Sequence, residues 1–236
     1  MQVACQTDQA RPHHLQEYVL LAPPWHTRAL VALLLFVPLA GLMLQPSVAT
    51  AASSRALGSY LPSVLVSGAL AGYVARFGLP RSILTPLLGS TWDSLSRAAR
   101  DLALGASLAL LVLVLDAVFV RALLPPESVA GHYLLPKTLT ERAAWFPFAV
   151  AAGVGEELVY RGYLQAQLSV LAGSRALGVV LQALLFGIAH GEHGGAVVAR
   201  FALYGLLFGA LALRRRSLIP GALAHVALDV YAGLAT

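Results

Sequence analysis

Charge is scarce in this sequence. Only 11% of its 236 residues are Asp, Glu, Lys or Arg, against roughly 25% in a soluble globular domain. That deficit excludes a water-facing surface of ordinary size. Lysine is almost missing, since 15 of the 16 basic residues are arginines scattered along the chain. Despite a formal net charge of +5, the scatter excludes the phosphate-binding patch that nucleic acid would need. A single cysteine, Cys5, excludes an internal disulfide and is too isolated to form a soft-metal site. Alternating ten-residue segments are lacking as well, which argues against an outer-membrane barrel. The first 28 residues hold Asp8, Arg11, Glu17, His13, His14 and His26 with no early apolar run. They do not resemble a cleaved secretory or lipoprotein signal, so targeting is expected to fall to the membrane segments. There is no internal repeat.

What the chain has in abundance is apolar length. Hydrophobic residues make up 58% of it, with a mean hydropathy of +0.74. Apolar runs separated by charge, Pro and Gly fall at about 28–44, 60–77, 102–124, 144–168, 176–190, 197–213 and 218–234. A bilayer span takes about 20 residues, so the expectation is an all-α polytopic transmembrane bundle of about seven spans, within a range of six to eight. The linker 76–100 concentrates four arginines with Pro80, Pro86, Trp92 and Asp93, and part of it reads as an interfacial helix. Three regions follow: an N-terminal cytosolic or interfacial segment (1–27), a three-span region (28–142), and a C-terminal helical core (143–236). With seven spans, eleven basic residues lie on the N-terminal side and five on the other. That asymmetry places the N-terminus in the cytoplasm.

An ionisable group at membrane depth costs from about 3 kcal/mol upward and is a functional candidate by default. Such groups gather in the last 90 or so residues. The run 146–168 contains Gly155-Glu156-Glu157-Leu158-Val159-Tyr160-Arg161. Glu157 and Arg161, four apart, share one helix face and can offset each other's burial. Glu156 lies about 100° round the helix, where that pair does not neutralise it directly. It is therefore expected to point into a cavity and serve as a base. The next run ends in Phe186-Gly187-Ile188-Ala189-His190, and the last contains His225-Val226-Ala227-Leu228-Asp229. Phe186 and His190 share a face, as do His225 and Asp229. Two histidines and two or three carboxylates on three helices suit the activation of water in a bundle interior. Asp116, alone in the run 102–124, reads as a structural partner, and His13, His14, His26, His132 and His193 read as solvated loop residues.

Taken together, Glu156-Glu157-x-x-x-Arg161, Phe186-x-x-x-His190 and His225-x-x-x-Asp229 resemble the motifs of the CPBP (CAAX protease and bacteriocin-processing, or Abi) family of intramembrane proteases. That family includes the type II CAAX prenyl endopeptidases. The resemblance covers 143–234, about 40% of the chain. It implies hydrolysis of a peptide bond within the membrane, with Glu156 as the general base, Glu157 and Arg161 holding their helix in register, and His190 orienting the water. His225 with Asp229 would serve the oxyanion. The last motif position is often Asn in the prenyl-protein branch, and an ionised Asp cannot donate to an oxyanion. Asp229 then fits better as a partner that charges or aligns His225, or as a metal ligand. Family members have been described both as metalloproteases and as glutamate-type proteases. A zinc site would draw on His190, His225 and Glu156, but no His-Glu-x-x-His helix is present, so a metal-independent glutamate mechanism is favoured.

The partners expected are the lipid bilayer and a membrane-protein or lipidated-protein substrate, not nucleic acid. The composition, rich in Arg, Ala, Leu and Gly and poor in Lys, reads as bacterial, which points to an inner (plasma) membrane location. Candidate substrates are a prenylated CAAX protein, a bacteriocin precursor or a C-terminal sorting tail. Two other classes compete: a non-enzymatic immunity-type membrane protein whose polar residues are structural, and a small proton-coupled transporter relaying through Glu156, His190 and Asp229. No inverted repeat supports the transporter.

Overall fold

The computed structural model describes residues 20–48, 55–88, 92–123, 135–191 and 195–235, and among these there is helix and no strand. Cys5, His13, His14, His132 and His193 lie outside them. The helices are α1 (Pro24–Val48), α2 (Arg55–Tyr73), α3 (Arg81–Leu87), α4 (Leu95–Leu123), α5 (Leu139–Glu156), α6 (Gln165–Leu171), α7 (Arg175–Ile188), α8 (Gly195–Arg215) and α9 (Ile219–Leu234). Two π-helical segments extend this set. Val74–Gly78 continues α2, and Glu157–Leu164 joins α5 to α6 as one rod.

Seven long helical stretches thus occupy the seven apolar runs. Two of them, Leu95–Val118 and Gly195–Arg215, are long and apolar enough to cross a membrane by themselves. Three of the others are visibly less suited. α7 has 14 residues and α9 has 16, below the ~20 a perpendicular span requires, and the α5–α6 rod carries the glutamates and Arg161. The short α3 lies in the arginine-rich linker.

The α5 rod begins at Leu139, five residues before the apolar run. Thr138 Oγ1 accepts from the Glu141 backbone N–H while the Glu141 carboxylate accepts from the Thr138 N–H at 2.9 Å. This reciprocal cap satisfies two otherwise orphaned donors and starts the helix in polar sequence. At the far end of the site, α9 opens with Pro220 near its first position, where a missing N–H costs nothing.

Packing brings the C-terminal helices together. α7 packs on α8, α4 and α5 both pack on α9, and α2 packs on α5. Close approach requires glycine at the α5–α9 seam. A Cβ at Gly153 would lie 2.8 Å from the Val226 backbone nitrogen, so only glycine permits this crossing. The main buried apolar cluster joins Leu30 and Leu34 of α1 to Leu158, Val159, Tyr160, Tyr163 and Leu164 of the π segment and to Phe186 of α7. The first two runs are therefore packed directly on the motif-bearing rod, while α4 packs on α9 and α8.

Two polar residues outside the motifs find partners across the bundle. Asp116 accepts from Tyr204 Oη at 2.7 Å and lies 3.2 Å from Arg200 Nε. His26 corrects the reading of it as a solvated loop residue. It is 4% exposed in the first turn of α1, its Nδ1 is 2.7 Å from Tyr163 Oη, and its ring stacks on Tyr73. Pro23 and Pro24 start α1 just ahead of it, which turns the imidazole inward instead of leaving it in a loop.

Candidate active site

The six motif residues arrive from three places in the chain. Glu156 is the last residue of α5, and Glu157 and Arg161 open the π segment. His190 follows the end of α7, and His225 and Asp229 lie one turn apart on α9. The π segment is the local feature that periodicity alone did not disclose. Its hydrogen bonds reach five residues back, as from the Gln165 N–H to the Tyr160 carbonyl. Such wide turns are rare and recur at functional sites. Every residue from Glu157 to Leu164 is buried.

Within this segment the ion pair forms. Arg161 Nη1 lies 3.0 Å from Glu157 Oε1, with both side chains at most 1% exposed. The guanidinium carbon also sits over the rings of Phe186 (4.3 Å), Phe208 (5.2 Å) and Tyr160 (5.8 Å), and these π faces contribute further attraction in a dry setting. A single ion pair seldom compensates the desolvation of two charges; the aromatic box and a third partner supply the remainder.

That third partner is His225. Its Nδ1 is 3.2 Å from the same Glu157 Oε1. An ionised carboxylate can only accept, so Nδ1 carries the hydrogen and Nε2 faces away from Glu157. On the Nε2 side are Glu156 Oε2 at 3.8 Å and Asp229 Oδ2 at 3.9 Å. The imidazole is thus the hub of three carboxylates. Its ring edges meet Phe186 and Phe208, the two rings that also cover Arg161.

The two adjacent glutamates address different spaces. Glu156, with His190, Gly155, Tyr160 and Ser67, lines a cavity of about 150 Å³ to which α1 and α2 contribute Leu34 and Leu70. That volume accommodates several water molecules, each occupying about 30 Å³ in the liquid. Glu157 is buried among its partners, and a Cβ at Gly221 would stand 2.8 Å from its Oε2. Gly221 is therefore part of the site's architecture. The signal in sequence was the Pro220-Gly221 pair at the head of α9, which reads first as a helix start.

His190 is braced by α7 and α8. Its Nδ1 is 2.8 Å from the Phe186 carbonyl and its ring stacks on Phe201, with centroids 3.9 Å apart and planes within 5°. The carbonyl fixes Nδ1 as the donor, which leaves Nε2 as an acceptor when the ring is neutral. Trp145, which sequence did not single out, donates from Nε1 to the Asp229 carbonyl at 2.7 Å. It packs on Tyr60 and Phe148, and so ties the His225–Asp229 turn to α5.

Among the described residues, no group of three or more His, Cys, Asp and Glu side chains is disposed to hold a metal ion.

No curated protein and no solved structure matches the chain. A family model does match, over residues 138–231, a region that begins at the Thr138 cap and ends two residues past Asp229, and that contains all six motif positions. Over these residues, about 40% of its length, the chain is similar to the type II CAAX prenyl endopeptidase Rce1-like family.

Proposed function

We propose that the chain is an intramembrane endopeptidase in which Glu156 activates the water that attacks the scissile carbonyl. The observation that carries this reading is the division of labour between neighbours. Glu157 is bound to Arg161 and His225, whereas Glu156 lines the cavity with His190. A general base must have room for water and hydrogen-bond reach to it. Glu156 has both.

The reaction is a hydrolysis. Glu156 accepts a proton from water while the water oxygen bonds to the carbonyl carbon, and the carbonyl oxygen becomes an oxyanion. His190 Nε2 holds and orients the water. His225, aligned through Nδ1 by Glu157, donates from Nε2 to the oxyanion, and Asp229 favours the protonated imidazole. The orienting carboxylate acts here as in other histidine-dependent hydrolases, by setting tautomer and direction. Collapse breaks the C–N bond, and the proton taken by Glu156 passes to the leaving amine. One oxyanion donor is worth about 2.7–4 kcal/mol where it has been removed from hydrolases.

The family description and two membrane-capable helices support a site within the bilayer and a membrane-associated protein substrate. We assign the cleavage to a peptide bond near the C-terminal or membrane-anchoring segment of a lipidated or membrane-inserted protein. The eleven-to-five distribution of basic residues supports a plasma-membrane location with a cytoplasmic N-terminus.

The test is Glu156→Gln in the purified chain, reconstituted with a prenylated CAAX peptide and a panel of C-terminal anchor peptides. Loss of cleavage by at least about 100-fold, a factor of ten for every 1.36 kcal/mol, with unchanged thermal unfolding is the expected result. Unchanged cleavage would remove Glu156 from the mechanism. A parallel measurement after exhaustive chelation is expected to leave activity intact, and loss restored by zinc would overturn the metal-independent reading.

A further inference from the structure

A buried phenol normally spends its hydroxyl on a partner. Tyr163 and Tyr204 do so: Tyr163 Oη lies 2.7 Å from His26 Nδ1 and 3.1 Å from Thr27 Oγ1, and Tyr204 Oη donates to Asp116 at 2.7 Å. Tyr160 differs from both. It is 4% exposed, yet its hydroxyl makes no hydrogen bond with a described residue. Nor is Oη among the buried side-chain atoms that are out of reach of solvent and partner alike, so the little exposure that Tyr160 keeps includes it. The space that Tyr160 borders is the cavity of Glu156 and His190. An unpaired hydroxyl in so buried a residue needs an explanation, and a group that enters the cavity supplies one.

The rod fixes where this phenol stands. Glu156 and Tyr160 are four residues apart at the junction of α5 and the π segment, and that spacing puts them on one face. The Tyr160 ring meets Phe186 edge-on, with centroids 5.0 Å apart and planes at 82°. Phe186 also provides the carbonyl that holds His190 Nδ1. Base, phenol and His190 are thus carried by one packed unit.

A carbonyl oxygen that becomes an oxyanion needs hydrogen-bond donors. Ionised Glu156, Glu157 and Asp229 only accept, and His190 Nδ1 is committed to the Phe186 carbonyl. Among the described residues that line the cavity, side-chain hydroxyls come from Tyr160 and Ser67. Ser67 is half-buried on α2, a separate helix from the base. Tyr160 shares the rod of Glu156 and its ring is locked by packing, the support that a reacting group requires. We propose that Tyr160 Oη is a second oxyanion donor, which joins His225 Nε2 at the carbonyl oxygen of the scissile bond. The phenol donates a hydrogen bond and keeps its proton, so the transfer from water through Glu156 to the leaving amine is unchanged. The bond tightens as charge builds on the oxygen, which places its effect on kcat. This assignment rests on the proteolytic reading of Glu156.

Tyr160→Phe in the reconstituted full-length chain, measured beside Glu156→Gln on the prenylated and C-terminal anchor peptides, tests it. The hydroxyl has no protein partner to lose, so thermal unfolding should be unchanged, while kcat falls about 100-fold with KM little altered. A peptide aldehyde of the cleaved sequence, whose hydrate mimics the tetrahedral intermediate, should bind Tyr160→Phe more weakly by a similar factor. A reduced-amide peptide, which lacks the oxygen, should bind it as before. Cleavage by Tyr160→Phe at the unaltered rate overturns the proposal, and the proteolytic reading then stands if Glu156→Gln is inactive. A lowered Tm with both ligands weakened alike would make the hydroxyl structural and overturns it as well. A larger loss in Ser67→Ala than in Tyr160→Phe would give the donor role to α2 instead. If the unaltered chain cleaves none of the peptides, the proteolytic reading fails and the assignment of Tyr160 falls with it.

Discussion

Glu157 Oε1 and His225 Nδ1 lie 3.2 Å apart, joining the π-helical segment to α9 at the depth where both helices are buried. The same oxygen is 3.0 Å from Arg161, so one carboxylate oxygen serves a structural partner and a chemical one. Removing the charge at Glu157 deprives the Arg161 guanidinium of its ion-pair partner. Breaking a buried pair from one side costs about 3–5 kcal/mol. Glu157→Gln is expected to lower stability by that amount in thermal unfolding in detergent, and to reduce cleavage even at temperatures where the protein remains folded. A variant with unaltered stability would show that the ion pair contributes nothing net.

Gly221 tests how tightly Glu157 is held without touching its charge. A methyl group there would stand 2.8 Å from Glu157 Oε2, closer than carbon and oxygen tolerate, so the carboxylate or α9 must shift. A misplacement near 1 Å costs about 10²-fold in rate when it disturbs reacting groups. Gly221→Ala should therefore depress kcat by one to two orders of magnitude. Full activity would mean that the carboxylate has slack and that its contact with His225 is not a positioning contact.

The sequence disclosed the helical class, the seven apolar stretches and the clustering of charge after position 150, because each of these is a signal of composition and local order. The contacts within the site were legible only in part. Periodicity of 3.6 placed Glu157 beside Arg161, but nothing in it marks the π turn, whose Tyr160, Tyr163 and Leu164 pack against residues of α1 and α7. Partners more than sixty residues apart, such as Glu157 with His225 or Trp145 with Asp229, leave no local trace. The His26, Thr27, Tyr163 and Gln167 network was likewise hidden. Each member alone is an ordinary polar residue near a helix end.

Trp145 provides a separate handle on the His225–Asp229 turn. Its indole N–H reaches the Asp229 carbonyl at 2.7 Å, while Tyr60 and Phe148 brace the ring. Trp145→Phe keeps an aromatic ring in this cluster and deletes the hydrogen bond, worth about 1 kcal/mol net. The expected result is a drop in Tm of a few degrees and a kcat reduced several-fold with KM unchanged, since the residue positions the oxyanion side and is remote from the substrate. A purely structural role would lower Tm and leave kcat alone.

Glu141 carries a prediction about pH, since it lies outside the apolar run 144–168. The backbone N–H groups of Lys137 and Thr138 both donate to its carboxylate, which holds its pKa below the ordinary glutamate value of 4.5. Hydrogen bonds to the ionised form favour that form. A carboxyl group with a depressed native pKa binds fewer protons in the folded state, so it contributes stability at pH above the unfolded value and loses that contribution as pH falls through the depressed one. Glu141→Gln should accordingly be less stable than the unaltered chain at neutral pH, and the gap should close on acidification, since the unaltered chain alone loses the ionised cap. Comparing the two Tm values across an acid titration measures this directly. A gap that persists undiminished at the acid end would assign the cap's value to the side-chain shape, and not to its charge.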